Sequence, residues 1–444
     1  MSLPWGTNFE KEGRMASSAP AAGAPDTGTP GSMGDVRRGN LALVLGRIAQ
    51  SGAGAHLTRA QVAAATGLTK ASVSSLVLDL LDAGIVREIG LNPQGERGRP
   101  GVGLELNPAM GVMGMEINVD YISAGLTDLS GNLLLHQTQE QDNRIASPGS
   151  VAAALAGLAA DLRGNAEAQG VRVLGGGLAV PGLVDVKTGT VITAPNLGWN
   201  TEALDLDALL PGVPLGTTLF NEANAAALAE LRYRPAGGAD FLFVSGEVGV
   251  GGGLVIGSEL FTGPQGHAGE LGHVVVQPDG AACSCGGTGC LETVAGQDAI
   301  FAAAGIATQA ASDGSAAWAS RSGRAASGPS RSETLAQLLA ALAAEDADAL
   351  GAVTRAGRFL GVAVASTVRL LNISSVVLGG HFAILGEWIM PALSDSLERY
   401  APGKVLPGNI SLSGVGQAGA LLGAAGSVVR SLVEAPHRLQ VQAS

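Results

Sequence analysis

The position of the cysteines constrains the fold more than any other feature of this sequence. All three cysteines of the 444-residue chain lie in the eight-residue stretch CSCGGTGC, at Cys283, Cys285 and Cys290. The glycines between them allow a sharply folded loop in which the sulfurs converge. With His273, which precedes the loop, they form a Cys3His set, the ligand number and type that tetrahedral Zn²⁺ prefers. The spacing predicts one structural zinc site per chain. The alternative is three buried thiols that lie close together by chance.

The cysteine count also bears on the compartment. Three cysteines cannot all pair, and clustered thiols in a reducing environment indicate metal rather than disulfides. The sequence shows neither a secretion signal nor an apolar run of about 20 residues that could cross a membrane. We therefore expect a folded, cytoplasmic protein without membrane segments.

Charge is unevenly distributed along the chain. The net charge is -12, but Val36–Pro100 carries eight Lys or Arg and four Asp or Glu, a net charge of +4, which leaves -16 for the remainder. A basic module on an acidic body is typical of a nucleic-acid binder with a separate sensing or catalytic part.

The basic module contains a helix-turn-helix pattern. Thr58 can cap a short helix, Gly67 supplies a turn, and Thr69 can cap a second helix. Apolar side chains are spaced for burial in the helix before Thr58 and in the helix after Thr69, whose other face is polar. The segment AGIVREIG, followed by a Gly-rich return, is typical of a winged variant. The alternative is an ordinary three-helix subdomain that contacts protein. The residues expected inside are Leu41, Val44, Leu45, Ile48, Val73, Leu76, Val77, Leu80 and Leu81, and the polar face comprises Lys70, Ala71, Ser72, Ser74 and Ser75.

The segment ERGRP, residues 96–100, joins the module to the body. Its two arginines could enter a narrow minor groove, where Arg is favoured, or the segment could be a solvated linker. The predicted DNA contacts of the whole module are Arg37, Arg38, Thr69, Lys70, Ser72, Ser74, Arg97 and Arg99.

The remaining sequence divides into a body and low-complexity segments. From Gly111 onward, strand pairs alternate with helices in two similar rounds, which predicts an α/β protein with two lobes and a cleft. The predicted divisions are a disordered tail (1–35), a winged helix-turn-helix domain (36–95), a linker (96–108), a two-lobed body (109–435) with a mobile insertion (about 308–332), and a tail (436–444).

Several motifs together resemble the ROK family (repressors, open reading frames and sugar kinases). HAGELGH followed by CSCGGTGCLE resembles the family's Glu-x-Gly-His and Cys-x-Cys-Gly-x-x-Gly-Cys-x-Glu motifs. GLAVPGLVD, APNLGW, FNEANAAALAE and VVLGGHFA also occur where the family has its motifs. The resemblance covers about three quarters of the chain. It implies a two-lobed, actin-like and hexokinase-like fold, assembly as a homodimer or homotetramer and, because of the added helix-turn-helix, the regulator branch.

The resemblance also implies roles for individual residues. His273, Cys283, Cys285 and Cys290 match the zinc ligands of the family. Residues that match the family's sugar-gripping positions carry carboxylates, an amide and an imidazole, which can donate to and accept from a row of hydroxyls. The ordered zinc loop would hold two of these residues, His273 and Glu292, in place. The predicted sugar-binding residues are Asn221, Glu222, Glu270, His273 and Glu292.

Three departures from the kinases of the family concern phosphate transfer. Where the kinases have an aspartate base, this chain has Glu222, one methylene longer. Their first phosphate loop, Asp-x-Gly-x-Thr, corresponds to Glu116, Asn118 and Asp120. Their second, Gly-Thr-Gly, corresponds to Glu247-Val248-Gly249. Carboxylates repel phosphates and lost glycines prevent close backbone approach, so the departures predict a retained sugar site and a lost ATP site.

The sequence therefore favours a sugar-responsive transcriptional regulator, of the repressor type, that binds an inverted repeat of double-stranded DNA and has no catalytic residues. Asn-Glu-x-Asn resembles xylose-repressor-like regulators in particular. The alternatives are an ATP-dependent hexose kinase with an added head, which would use Glu222 as its base, and a zinc-stabilised sugar-binding protein whose head contacts another protein.

Overall fold

The computed structural model describes residues 33–51, 56–92, 101–233, 239–306 and 330–440. The chain folds into an N-terminal head and a body of two lobes. The predicted tail up to residue 32, the ERGRP segment with Arg97 and Arg99, and most of the predicted insertion lie outside the described residues. In the described part of the chain, no helix is both long and apolar enough to span a membrane.

The helices of the head begin and end where the capping residues predict. The Thr58 hydroxyl accepts a hydrogen bond from the Gln61 amide, while the Gln61 side chain accepts one from the Thr58 amide. Gly67 ends that helix with φ +72°, a conformation that glycine adopts without strain, and Thr69 caps the next helix through the Ser72 amide. The helices are α1 (Met33–Ala49), α2 (Arg59–Thr66) and α3 (Lys70–Asp82).

A three-stranded antiparallel sheet completes the head and corrects the predicted boundary. The residues 96–108 were expected to form a linker, yet Gly101–Leu106 forms β3, the middle strand, between β1 (Leu57–Thr58) and β2 (Val86–Asn92). Alternation explains the strand, because Leu104 is fully buried in the head. The head therefore extends to Leu106.

Three further predicted boundaries shift. The tail ends earlier than residue 35, because α1 begins at Met33. The predicted insertion ends before residue 330, because Ser330 and Glu333 form a capping box that starts a helix. Residues 436–444 were expected to form a tail, but His437–Gln440 is a short helix, α14.

Lobe I is built on a five-stranded sheet of order β11-β7-β4-β5-β6. Its first three strands in the chain are antiparallel neighbours, and the last two add in parallel. A small antiparallel sheet, β8 to β10, follows β7. The elements are β4 (Met110–Ile117), β5 (Tyr121–Asp128), β6 (Leu133–Glu140), α4 (Pro148–Ala168), β7 (Arg172–Val180), β8 (Leu183–Asp185), β9 (Thr190–Ala194), β10 (Trp199–Ala203), α5 (Leu206–Leu209), β11 (Thr217–Asn221) and α6 (Glu222–Tyr233).

Lobe II repeats the same sheet plan. Its order β14-β13-β12-β15-β16 again has three antiparallel strands followed by two parallel additions. The two rounds of strands predicted from the sequence are therefore confirmed. The elements are β12 (Phe241–Gly246), β13 (Val250–Ile256), β14 (Glu259–Leu260), α7 (Glu292–Ala295), α8 (Gln297–Ala303), α9 (Arg331–Ala343), α10 (Ala347–Leu371), β15 (Val376–Gly380), α11 (His381–Ile384), α12 (Gly386–Tyr400), β16 (Ile410–Leu412) and α13 (Gly419–Glu434).

Helix α13 returns from lobe II and packs on the sheet of lobe I, beside α6. The approach is so close that a Cβ on Gly423 would lie 1.7 Å from the Ala225 carbonyl oxygen, and one on Gly114 would lie 2.2 Å from the Leu421 carbonyl oxygen. The other end of α13 contacts α1. Head and lobe I share one apolar core there, in which α1 side chains such as Leu45 pack with Val428 and other residues of α13.

Candidate metal centre and interlobe pocket

The predicted metal ligands lie together at one edge of the cleft. The ligand atoms of His273, Cys283, Cys285 and Cys290 all lie within 4.8 Å of one another. The Cys283 Sγ is 3.7 Å from the His273 Nδ1, and the Cys285 Sγ is 3.7 Å from the Cys290 Sγ. Four ligands about 2.3 Å from a tetrahedral Zn²⁺ would be roughly 3.8 Å apart. The arrangement fits a four-coordinate ion.

Glycines and backbone hydrogen bonds shape the loop. The Cys283 amide donates to the Gly287 carbonyl, and the Gly286 amide donates to the Cys283 carbonyl. Gly289 has φ +73°, and a Cβ there would lie 1.7 Å from the Gln277 carbonyl oxygen, so the loop requires glycine at this position. Burial, together with the neighbouring thiols of Cys283 and Cys285, raises the pKa of the Cys290 thiol to about 12. Thiolates packed so closely need a cation to offset their repulsion.

A cavity of about 100 Å³ lies next to the metal loop, between the lobes. All five predicted sugar-binding residues line it. No Lys or Arg lines it among the described residues. The polar side chains around it are Asn118, Asn196, Asn221, Glu222, Ser245, Glu247, Glu270, His273, Ser284 and Glu292.

His273 is both a predicted metal ligand and a lining residue of the cavity, and the metal loop also contacts Glu292. The Nδ1 of His273 faces the cysteine cluster, while its Nε2 lies 3.7 Å from the Glu270 carboxylate. The Glu292 carboxylate accepts hydrogen bonds from the Val250 amide at 3.1 Å and from the Ser284 hydroxyl at 3.4 Å. Since Ser284 stands between two ligand cysteines, the fold of the metal loop bears directly on the orientation of Glu292.

Asn221 is partly committed to the backbone. Its amide nitrogen donates to the Gly182 carbonyl at 2.8 Å, and its oxygen accepts from the Asn224 amide at 2.9 Å. The side chain thus fixes the start of α6, where Glu222 stands. Asn221 keeps one amide hydrogen and one lone pair for a ligand.

Behind the cavity, Glu116, Glu222, Glu230 and Glu247 line a smaller void of about 20 Å³, again without Lys or Arg among its described residues. Burial raises the pKa of Glu116 to about 7, against the hydrogen bond that the Tyr121 hydroxyl donates to it at 2.8 Å. Burial, with Glu116 nearby, raises the pKa of Glu247 to about 8. Burial, together with the nearby Glu247 and Glu116, raises the pKa of Glu222 well above its ordinary value. We call Glu116, Glu222 and Glu247 the carboxyl cluster.

A larger cavity of about 860 Å³ opens on the other side of Glu247 and separates the two lobes. Glu247 also lies beside Gly380, where a Cβ would be 2.5 Å from its Oε1. Asp120, Arg144, Asp298 and Arg331 line this cavity and form ion pairs with each other.

In the head, the predicted DNA-contacting residues divide into two groups. Thr69, Lys70 and Ser72 are exposed at the start of α3, and Ser74 is half-buried. Arg37 and Arg38 are engaged within the protein: Arg37 pairs with Asp79 and Ser75 on α3, and Arg38 pairs with Asp35.

Sequence reasoning missed several residues that shape the site. Asn143 is fully buried, and its amide donates to the carbonyls of Asn118 and Tyr121, which fixes the turn between β4 and β5. Its place in a loop gave no signal for that role. Asn196 could have been noticed, because it belongs to the APNLGW motif. Arg331 fell inside the predicted insertion.

Two sheets of identical strand order around a cleft define the actin-like, hexokinase-like class of two-lobed α/β proteins. Residues 112–430 match the ROK family, and the chain belongs to that family, as its motifs predicted. The chain is 33% identical to the xylose repressor of Bacillus subtilis (strain 168), over 60% of this chain and 68% of the relative.

Solved structures give the same result. A ROK family transcriptional regulator, a homologue of the E. coli MLC protein, superimposes with a TM-score of 0.70 and 25% identity, and the match covers 91% of this chain and 98% of that one. A ROK family glucokinase from Streptomyces griseus, in complex with glucose and AMPPNP, matches with a TM-score of 0.57 and 28% identity, over 71% and 98% of the two chains. The match to the regulator thus extends over more of this chain than the match to the kinase.

Proposed function

We propose that this protein is a sugar-responsive, DNA-binding transcriptional repressor whose body binds a sugar between its lobes and does not transfer phosphate. One observation carries the proposal. A head with an exposed polar helix face is joined through a shared core to a body whose cleft holds a cavity lined by carboxylates, amides and an imidazole. Relatives named as xylose repressors and a structural neighbour described as a transcriptional regulator support it.

The head is a winged helix-turn-helix in which α3 is the recognition helix. Its order of helices and strands, with Gly67 in the turn and a β2–β3 hairpin as the wing, suits insertion of α3 into the major groove. Lys70, Thr69, Ser72 and Ser74 at its N-terminal end contact bases and phosphates. Arg37 holds α3 from behind through Asp79. Two heads of a homodimer or homotetramer bind an inverted repeat.

The body holds a sugar with the carboxylates and amides of the 100 Å³ cavity. Glu270, His273, Glu292 and Asn221 pair with its hydroxyls, and Glu222 closes the inner end. His273 and the three cysteines hold one structural Zn²⁺, which fixes the loop that bears Ser284 and positions Glu292.

The carboxyl cluster supports the proposed lack of phosphate transfer. In the place of two phosphate loops, Glu116 and Glu247 fill the space behind the sugar cavity. Neither of these cavities presents a cation to a phosphate among its described residues, and the glutamate side chains fill space that a glycine phosphate loop leaves open for close backbone approach. Sugar binding changes the arrangement of the two heads, because the sugar has different affinities for two conformations of the protein.

A gel-shift assay on DNA from upstream of the gene, with a panel of sugars, tests the proposal. We expect specific binding at physiological salt that one sugar changes. Lys70→Ala removes a charged contact on α3 and should weaken binding roughly ten-fold. Lys404→Ala, a lysine remote from the head, is the matched control. If no sugar condition gives specific DNA binding, the proposal is wrong.

The hexose kinase remains the second candidate, because glucokinases of the same family share the fold. An ADP-release assay with common sugars separates the two. Turnover of a sugar at a rate typical of kinases, on the order of 1–100 per second, would favour the kinase.

A further inference from the structure

Five charged side chains form a chain of ion pairs that crosses the cleft from lobe I to lobe II. The Arg331 guanidinium makes two contacts with the Asp298 carboxylate on α8, at 2.6 and 3.0 Å. Its Nε lies 3.1 Å from Asp120 Oδ2, in the β4–β5 turn of lobe I. The other Asp120 oxygen lies 3.7 Å from Arg144, which in turn binds Asp142 at 2.7 and 2.9 Å. We call this chain of contacts the interlobe bridge.

The bridge is partly shielded from water, so its contacts are stronger than those of a surface pair. The arginines are the shielded members, with the Arg331 side chain 13% and the Arg144 side chain 19% exposed, whereas Asp120 is 28% and Asp298 is 42% exposed. The bidentate pair is Arg331–Asp298, within lobe II, whereas the contact that crosses the cleft is an ion pair between Arg331 Nε and Asp120 with no hydrogen bond at that nitrogen. Removing Arg331 leaves the partly buried Asp120 carboxylate with less compensation. Burial raises the pKa of Asp120, and the charges of Arg331 and Arg144 oppose that rise.

On each side, the bridge is connected to a wall of the 100 Å³ cavity. In lobe I, Asp120 belongs to the same turn as Asn118, which lines the cavity and is held by Asn143. In lobe II, Asp298 and Gln297 begin α8, and the Gln297 amide donates to the Val248 carbonyl at 3.2 Å. Val248 also lines the cavity. The bridge thus links the two walls, in addition to the apolar packing of Val248 against the core of lobe I.

We propose that Arg331 is a positioning residue for the effector site: it bridges Asp120 and Asp298 across the cleft and keeps the two walls of the sugar cavity at binding distance. This inference rests on the proposed function, because it concerns the site assigned to the sugar. Arg331 does not line the 100 Å³ cavity and acts through the two walls. Without the bridge, the closed arrangement is less populated, and the apparent affinity falls by the same factor.

The test uses the full-length protein and Arg331→Met, which removes the charge but keeps an unbranched side chain of similar length. D-xylose and D-glucose serve as probes, and their Kd is measured by calorimetry. Small-angle scattering without ligand measures the radius of gyration. Arg399→Met, at an exposed arginine of α12 in the same lobe, is the matched control.

For Arg331→Met we expect a Kd roughly ten-fold higher for the sugar that binds and a larger radius of gyration without ligand. The control should match the wild type in both. Asp120→Asn alone should reproduce both effects, and the double variant Arg331→Met with Asp120→Asn should be no worse than either single variant. A general loss of stability would instead make the two substitutions additive.

Two results would overturn the inference. One is an unchanged Kd and radius of gyration in Arg331→Met, with sugar binding intact in the wild type, which would leave the proposed function standing. The other is additivity of the two substitutions. If the wild-type protein binds neither sugar, the proposed effector site and this inference both lose their support. The ligand-free scattering then reports separately whether Arg331 holds the lobes together.

Discussion

At the scale of single residues, Glu247 places a buried carboxyl group in the cleft between the lobes. It stands where the kinases of the family have the first glycine of a phosphate loop, and the structure places it against Glu116 and Glu222 behind the 100 Å³ cavity. The sequence predicted acidic groups at these positions. It could not predict that burial would raise their pKa values, because Glu116 and Glu247 come from different lobes and meet only in the folded protein.

The carboxyl cluster predicts that the free energy of unfolding depends on pH and that Glu247→Gln weakens this dependence. The pKa values near 7 for Glu116 and 8 for Glu247 exceed the ordinary value of 4.5, so between about pH 4.5 and 8 the folded state holds protons that the unfolded state has lost. The contribution of these groups to the free energy of unfolding therefore falls as pH rises through that window.

Thermal melts of the wild type and Glu247→Gln between pH 5 and about 8.5 measure the effect. We expect the difference in Tm, variant minus wild type, to become more positive as pH rises. Glu398→Gln, at an exposed glutamate of α12, should show a constant difference. A Glu247→Gln curve parallel to the wild-type curve would contradict the prediction.

At the scale of elements, local signals predicted more than long-range ones. The caps Thr58 and Thr69 placed α2 and α3 correctly, because capping depends on neighbours in the chain. Strand β3 was taken for linker, since the Gly- and Pro-rich run before it is typical of an exposed connection. Arg331 was assigned to an insertion by composition. Its partner Asp120 lies in the other lobe, and no local pattern reports such a contact.

The structure brings together the four residues predicted as metal ligands, which are close in sequence, and substitution of one of them has a clear expected effect. Cys285 is the exposed ligand, so Cys285→Ser fits sterically while replacing a thiolate with a weaker ligand. We expect zinc content to fall and sugar affinity to drop at least about ten-fold, because the loop holds Ser284 and Glu292.

Metal analysis, circular dichroism and calorimetry together make this measurement. Chelated wild-type protein should regain sugar binding when Zn²⁺ is added, whereas Cys285→Ser should not. Undiminished sugar binding by folded, zinc-free protein would show that the metal does not shape the pocket.

At the scale of the whole molecule, α13 holds the parts together. It begins beside the void of the carboxyl cluster, where Gly419 and Ala420 are lining residues, crosses the sheet of lobe I and ends against α1 of the head. Its glycine contacts leave no room for side chains on the facing backbone. Helix α13 therefore packs tightly on lobe I and shares an apolar core with the head.

Gly423→Ala should damage this arrangement severely. The added Cβ would lie 1.7 Å from the Ala225 carbonyl oxygen, which is backbone and cannot rotate away. We expect a loss of roughly 3 kcal/mol in the free energy of unfolding, measured by urea titration. Gly351→Ala on α10, where a Cβ meets nothing within 4 Å, should be neutral or slightly stabilising. Equal stability of the two variants would show that α13 is not tightly packed.

The apolar core shared by head and lobe I limits how this protein can be divided. Cutting the chain before Asn107 would uncover Val112, Leu129, Leu174 and Leu432, all of which are buried under the head. A truncated body would therefore expose an apolar patch and would tend to aggregate. The head cannot be exchanged freely for another DNA-binding domain. A chimera would remain soluble only if the first helix of the new head packed against this apolar surface.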